Sequence, residues 1–153
     1  MPVAVSNLQR RSRISSPRLR AVARRTLAAL GRADREVHVT VVDDRRIRAL
    51  NARYLGKRRA TDVLAFDLAG PGPARLWGEV IVSAETAARQ ARRVGVPLAM
   101  ELDLLVVHGL LHLAGYDDHG PRRARRMHER AREILAGRTG AVPPRLWTGL
   151  LER

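Results

Sequence analysis

A chain of 153 residues, 45% of them apolar, has the length of one ordinary domain with a single core, built on Leu, Val, Ile and Ala because aromatics are only 3%. The absence of cysteine excludes disulfides, thiolate catalysis and sulfur-bound zinc, and no stretch is long and apolar enough for a membrane helix. Lys plus Arg number 29 against 15 Asp plus Glu, a net +14 carried almost wholly by arginine because Lys57 is the only lysine; arginine forks suit phosphate oxygens, so a polyanionic partner, nucleic acid, is expected.

Val3 to Leu8 reads as a short first strand. Ser15-Ser16-Pro17 reads as a cap and first turn of a helix that places Leu19, Val22, Ala23, Thr26, Leu27 and Leu30 on one face and stops at Gly31. Val37 to Val42 is a β-branched run and predicts a strand; Asp43-Asp44 then caps a helix from Arg45 to about Leu55 that buries Ile47, Leu50 and Tyr54. A basic connection, Lys57-Arg58-Arg59-Ala60-Thr61, leads into a third strand over Asp62 to Phe66, and Gly70-Pro71-Gly72-Pro73 must be a loop. Trp77 to Ser83 predicts a fourth strand, with Ser83 capping a helix to Val94 that Gly95-Val96-Pro97 ends. Leu98 to Ala114 is apolar nearly all round, which predicts a centrally buried helix ended by Gly115. After Pro121 an arginine-rich helix runs to about Ala136 with Ala124, Met127, Ala131, Ile134 and Leu135 inward, followed by a loosely held tail over 137–153. The whole, 1–153, is expected to be one α+β domain: a mixed sheet of about four strands covered by helices.

Three of the five histidines lie between His108 and His119. His108 and His112 are four apart on the buried helix, so both imidazoles share one face at a spacing that suits one metal ion. Gly115 allows a sharp turn that can fold His119 or Asp118 back as a third ligand, leaving the fourth position open as in a catalytic zinc site. Gly109 stands where a zinc protease of the His-Glu-x-x-His type carries its general base, so peptide hydrolysis would need a base from elsewhere, such as Glu79 or Asp117. His38 and His128 read as structural or surface residues.

The string from His108 through Asp117 closely resembles the signature of the YbeY family, bacterial rRNA maturation factors and metal-dependent, single-strand-specific endoribonucleases. Leu50-Asn51-x-x-Tyr54, the segment Ala60-Thr61-Asp62-Val63-Leu64-Ala65-Phe66, the strand Gly78 to Ser83 with Ala87 and Gln90-Ala91 after it, and Glu101-Leu102 are similar to further family motifs, so that about 37–120 matches in order and spacing. The resemblance implies a zinc-hydrolase-like fold, one zinc per chain on three histidines, and a role in 16S rRNA 3′-end maturation and ribosome quality control; the start of the chain does not read as a secretory signal, so the cytoplasm is the expected compartment. Three departures stand out. Family members place the third histidine ten residues after the first, where this chain has Asp118 with His119 one later; His119 is the expected ligand because a neutral imidazole preserves the +2 charge at the site, and Asp118 is the alternative. An arginine usually follows the tyrosine, where this chain has Leu55. The proline before Thr61 is replaced by Ala60.

The resulting expectation is cleavage of RNA phosphodiesters by water activated at the zinc, with arginines stabilising charge on the phosphoryl oxygens. Arg58 and Arg59, with Lys57, are the candidates for RNA phosphate contacts in place of the arginine lost at Leu55, and Arg122 to Arg126 add a second basic segment along the RNA backbone. RNA of the small ribosomal subunit is the expected partner, with ribosomal or assembly-factor proteins beside it. The competing classes are a zinc peptidase or other hydrolase, and a non-catalytic rRNA-binding assembly factor whose metal is structural.

Overall fold

Val37, Val39 and Val41 alternate along β2 (Glu36–Val42) and all three are buried on one face, as period-two patterning requires. In the computed structural model, which describes residues 3–55, 62–68 and 76–139, β2 lies between β1 (Val3–Asn7) and β4 (Leu76–Ser83), parallel to both. β3 (Val63–Asp67) completes the sheet antiparallel to β4, giving the order β1-β2-β4-β3. The sheet is mixed, and the architecture is α+β.

Capping chemistry sets the helix starts. Ser15 Oγ accepts the Arg18 N–H at 3.2 Å at the start of α1 (Ser16–Ala29), and Gly31, at φ +70°, follows its end. Ser83 Oγ accepts the Thr86 N–H at 3.2 Å to open α3 (Ala84–Val94), which closes on left-handed Gly95. Asp43 Oδ1 accepts the Arg46 N–H at 2.9 Å at the start of α2 (Asp44–Leu55). Asp44 then ties α2 to α3, accepting hydrogen bonds from the Ser83 and Thr86 hydroxyls and an ion pair from Arg89 at 2.8 Å.

The helices divide between the two faces of the sheet. α4 (Leu98–Leu113) is buried almost throughout and packs, with α1, on the face that carries Val39, Val80 and Val82, while α5 (Pro121–Thr139) packs against α4 and α1. Met127, Ala131, Ile134 and Leu135 are the inner residues of α5, as their spacing predicts. α2 covers part of the opposite face, where Ile47 packs against Val42, Leu64 and Ile81. Asp103, in the buried stretch of α4, is held bidentately by Arg18 of α1, the shortest contact being 2.8 Å.

Tyr54, expected to be buried, is 57% exposed: it stands edge-on to Phe66 at 5.5 Å, while the buried position beside Leu50 is taken by Asn51. The arginine-rich helix runs to Thr139, one turn past its expected end. The Gly-Pro loop, the segment Lys57 to Thr61 and residues 140–153 of the tail lie outside the described residues. Among the described residues no single helix is long and apolar enough to cross a membrane.

Candidate metal centre

Gly109 shows why a glycine interrupts the apolar run of α4. A Cβ built there would sit 2.5 Å from Val80 Cγ1 and 3.2 Å from Val63 Cγ2, so this glycine is what lets the helix lie against β4 and β3. Gly78 does the same from the sheet side, where a Cβ would meet the Phe66 carbonyl at 2.5 Å and Leu113 at 2.8 Å. The close approach sets the rotation of α4. With Gly109 against the sheet, His108 and His112 fall together on a half-buried flank, ring centroids 4.8 Å apart and planes inclined by 37°.

The chain then reverses. The Gly115 and Tyr116 N–H groups donate to the His112 and Leu111 carbonyls, and Gly115 adopts φ +100°. Asp117 Oδ1 accepts the His119 N–H at 3.0 Å, a side-chain turn two residues long. Its other carboxylate oxygen meets Arg123 of α5 at 3.4 Å. This geometry turns Asp118 back toward the histidines. One ligand atom from each of His108, His112 and Asp118 lies within 4.8 Å of the others. His119 stands outside that group, its side chain 87% exposed and its Nδ1 3.7 Å from Asp117. Two imidazoles and a carboxylate are a donor set that catalytic zinc accepts, and Asp118 is exposed, so this group could hold a divalent ion open to a substrate from the solvent side.

The flanks of the centre are basic. Ala114 to Asp117 of the turn, with Arg123 and Arg126, line a cleft of about 450 Å³. Arg126 is shared with a second cleft of about 380 Å³ that continues along α5 past Arg122, Arg125 and Glu129. Arg58 and Arg59 lie outside the described residues. Of the other candidates, Glu79 projects to the far face of the sheet, since its neighbours Gly78 and Val80 abut Leu113 and Gly109 of α4; its carboxylate accepts the Thr40 hydroxyl at 2.8 Å. Asp117 is engaged by its own turn and by Arg123. His38 is exposed on β2. His128, partly buried on α5, has its pKa pushed below the usual imidazole value by burial and by Arg132, against a smaller opposing effect of Glu129. Sequence reasoning missed the packing role of Gly109, although a lone glycine inside an apolar helix is a signal of close approach. It also missed Asp117 as the residue that shapes the turn.

These features define a small α+β protein whose central helix carries a candidate metal centre, followed by a turn that helps form an arginine-lined cleft. Residues 4–138 match the family model described as endoribonuclease YbeY. The endoribonuclease YbeY of Anaeromyxobacter sp. (strain Fw109-5) is 49% identical over 135 residues, 88% of this chain and 70% of that protein. Its counterpart in Geobacter metallireducens is 47% identical over 143 residues, 89% and 95% of the two chains. The solution structure of TM1509 from Thermotoga maritima shares the fold, with a TM-score of 0.61 at 24% identity over 98% of this chain and 92% of that one. This chain belongs to the YbeY endoribonuclease family.

Proposed function

We propose that this protein is a zinc-dependent endoribonuclease that cleaves single-stranded RNA in the cytoplasm and serves 16S rRNA 3′-end maturation and ribosome quality control. The observation that carries the reading is the His108–His112–Asp118 group together with the arginine clefts, lined by Arg122, Arg123, Arg125 and Arg126, that begin at the neighbouring residues Ala114 to Asp117 of the same turn. His108, His112 and Asp118 would hold one zinc ion, with His119 beside it at the surface. Bound there, zinc supplies the Lewis acidity that phosphodiester hydrolysis requires.

The chain's own side chains supply the rest. Asp117 orients the turn that presents Asp118. Arg123 and Arg126 place positive charge where the phosphoryl oxygens of a bound strand lie, and Arg122 and Arg125 extend that charge along α5. Arg122 and Arg126 are one helical turn apart, so their guanidinium groups reach successive phosphates of an extended strand. Tyr116, in the wall of the same cleft, offers a ring for an unpaired base, a contact that favours single strands over duplex. Arg58 and Arg59, with Lys57, are assigned to the phosphates on the other flank.

Two of the bases that a peptidase reading would use are out of reach in this geometry. Position 109 faces the sheet and Glu79 lies on the opposite side of it, so neither can serve as a general base at the centre. The test is cleavage of a labelled single-stranded RNA at low salt by the wild type beside His112→Ala, with zinc content and melting measured on both. Loss of cleavage and of zinc in a folded variant is expected. Equal cleavage by both proteins refutes the assignment, and binding without cleavage by either shifts the protein to the assembly-factor class.

A further inference from the structure

A cleft of about 590 Å³ lies away from the metal centre, between the chain leaving β1 (Asn7 to Arg10) and the first turns of α2 (Asp43, Arg45, Arg46, Ala49). Arg10, Arg45 and Arg46 are exposed, and among the described residues none has an ion-pair partner; Asp43 is the only acid in the wall. The walls are built rather than loose. Gln9, 6% exposed, donates from its Nε2 to Asn7 Oδ1 and to the Ser12 carbonyl, both at 2.9 Å, and its Oε1 accepts the Ser12 N–H at 2.9 Å. Those bonds fix the loop that carries Arg10. The first amides of α2 are already occupied, Asp44 N–H by Glu85 and Arg46 N–H by Asp43, so the helix terminus itself is not the attraction; the three guanidinium groups are.

The position of the cleft matters as much as its charge. Asp43 follows Val42, which pairs with Ser83 at the end of β4, whereas Gly78, against which Leu113 of the metal-bearing helix packs, lies near the start of β4. At about 3.3 Å per residue, and with two strand spacings of about 4.8 Å across the sheet, the cleft and the metal centre are roughly 20 Å apart. A strand of about two or three nucleotides at the metal centre does not reach it, whereas a longer RNA can occupy both.

We propose that this cleft is a second RNA site: Arg10, Arg45 and Arg46 hold the sugar–phosphate backbone of a segment of the substrate distant from the scissile bond. The inference rests on the nuclease reading for its ligand, but not for its test. An unpaired arginine in an open cleft is stabilised by a phosphate without losing any internal partner, and each phosphate contact adds about 0.7–0.9 to the slope of log affinity against log salt. The site would let the enzyme favour a structured RNA over a free oligonucleotide that carries the same cleavage sequence.

The experiment compares the triple variant Arg10→Gln/Arg45→Gln/Arg46→Gln with a control that removes the same charge elsewhere, Arg20→Gln/Arg92→Gln/Arg93→Gln. Binding of a long structured RNA is measured across a salt series, and cleavage of a short single-stranded oligonucleotide beside it. The cleft variant is expected to lose about 2–3 from the salt slope and tenfold or more in affinity for the long RNA. Its oligonucleotide cleavage should stay within about twofold of wild type and the control's slope close to it. The single variants Arg45→Gln and Arg46→Gln, each expected to lose about one unit of slope, guard against a triple variant that fails to fold. An unchanged slope, or an equal loss in the control, overturns the site. So does stabilisation of the wild type but not the variant by millimolar inorganic phosphate with no change in RNA binding, which would give the cleft to a small anion. Should no protein cleave the oligonucleotide while the slopes still differ, the nuclease reading falls and the RNA site stands.

Discussion

Replacing Gly109 with Ala adds one methyl group at the point where α4 touches the sheet. Ordinary carbon contacts lie at about 3.5–4.0 Å. The new Cβ would stand 2.5 Å from Val80 Cγ1, 3.1 Å from Val80 Cγ2 and 3.2 Å from Val63 Cγ2. Val80 is fully buried on a strand bonded on both sides, and a β-branched side chain has no easy rotamer to retreat into, so the helix must move, by about 1 Å. Overpacking of this kind costs about 1–3 kcal/mol, and the better helix propensity of Ala returns about 1 kcal/mol. The net expectation is a loss of up to about 2 kcal/mol, a melting temperature lower by up to about 8 °C. The metal centre should suffer more than the fold. His108 and His112 ride on the displaced helix while Asp118 sits in the turn that Asp117 ties to Arg123, and ligands must stay within about 0.5 Å of their working geometry. Zinc affinity is therefore expected to fall by about 10–100-fold, read by competition with a chelator alongside thermal unfolding. A variant that melts higher than wild type and binds zinc as tightly would show that propensity outweighs contact here, and that Gly109 does not set the helix position.

Asp118→Asn should weaken zinc binding by at least about tenfold while His119→Ala leaves it unchanged; the opposite ranking in metal content would move the ligand to His119. Arg18→Met removes the Arg18 contacts of the Asp103 carboxylate, which is 6% exposed, and should cost about 1–3 kcal/mol, toward the lower end because Arg18 itself is about one-third exposed to screening solvent. A double-mutant cycle with Asp103→Asn isolates the pair, and a coupling near zero would contradict its assignment as a tie between α1 and α4. The pKa of His128 is lowered in the folded protein, so the unfolded chain binds the proton first: the stability His128 contributes is complete above about pH 6.5 and is lost as the pH falls below it. His128→Gln should flatten that limb of a stability–pH curve, and identical slopes in both proteins would refute it. Asp44 acts in a lower window. Partial burial opposes its ionisation, but hydrogen bonds from Ser83 and Thr86 and the Arg89 contact outweigh it, so Asp44→Ala should remove a stabilising contribution that wild type keeps above about pH 4 and loses in stronger acid.

The elements legible in the sequence are those whose signals are local. Ser15 and Ser83 cap helices because a β-region serine before an apolar periodic run has a free amide to accept, and the valines of β2 declare their buried face by alternation alone. The His108–His112 pair is legible because four residues on any α-helix make one face. Tyr54 is not. Its spacing from Ile47 and Leu50 is correct for an inward face, yet the apolar cluster under α2 is small, and the last turn extends past it to Phe66 with the ring left in solvent. Periodicity reports which residues share a face and carries no information on how far the neighbouring layer extends.

The third ligand turns on a choice finer still, one residue in a turn, between Asp118, which lies with the two histidines, and His119, which the charge argument favours. What selects between two adjacent side chains is the direction in which the backbone presents each, and here a hydrogen bond from the His119 amide to Asp117 two residues before it decides that direction. The same carboxylate meets Arg123 through its other oxygen, which anchors the turn to α5. The same reasoning bears on position 109. Converting the helix to His-Glu-x-x-His by Gly109→Glu would not produce a peptidase, because the Cβ direction there runs into Val80, and a carboxylate in that gap would be buried against valines without a partner. The rotation of α4 that gives this fold its histidine pair is thus the rotation that denies it a base at position 109.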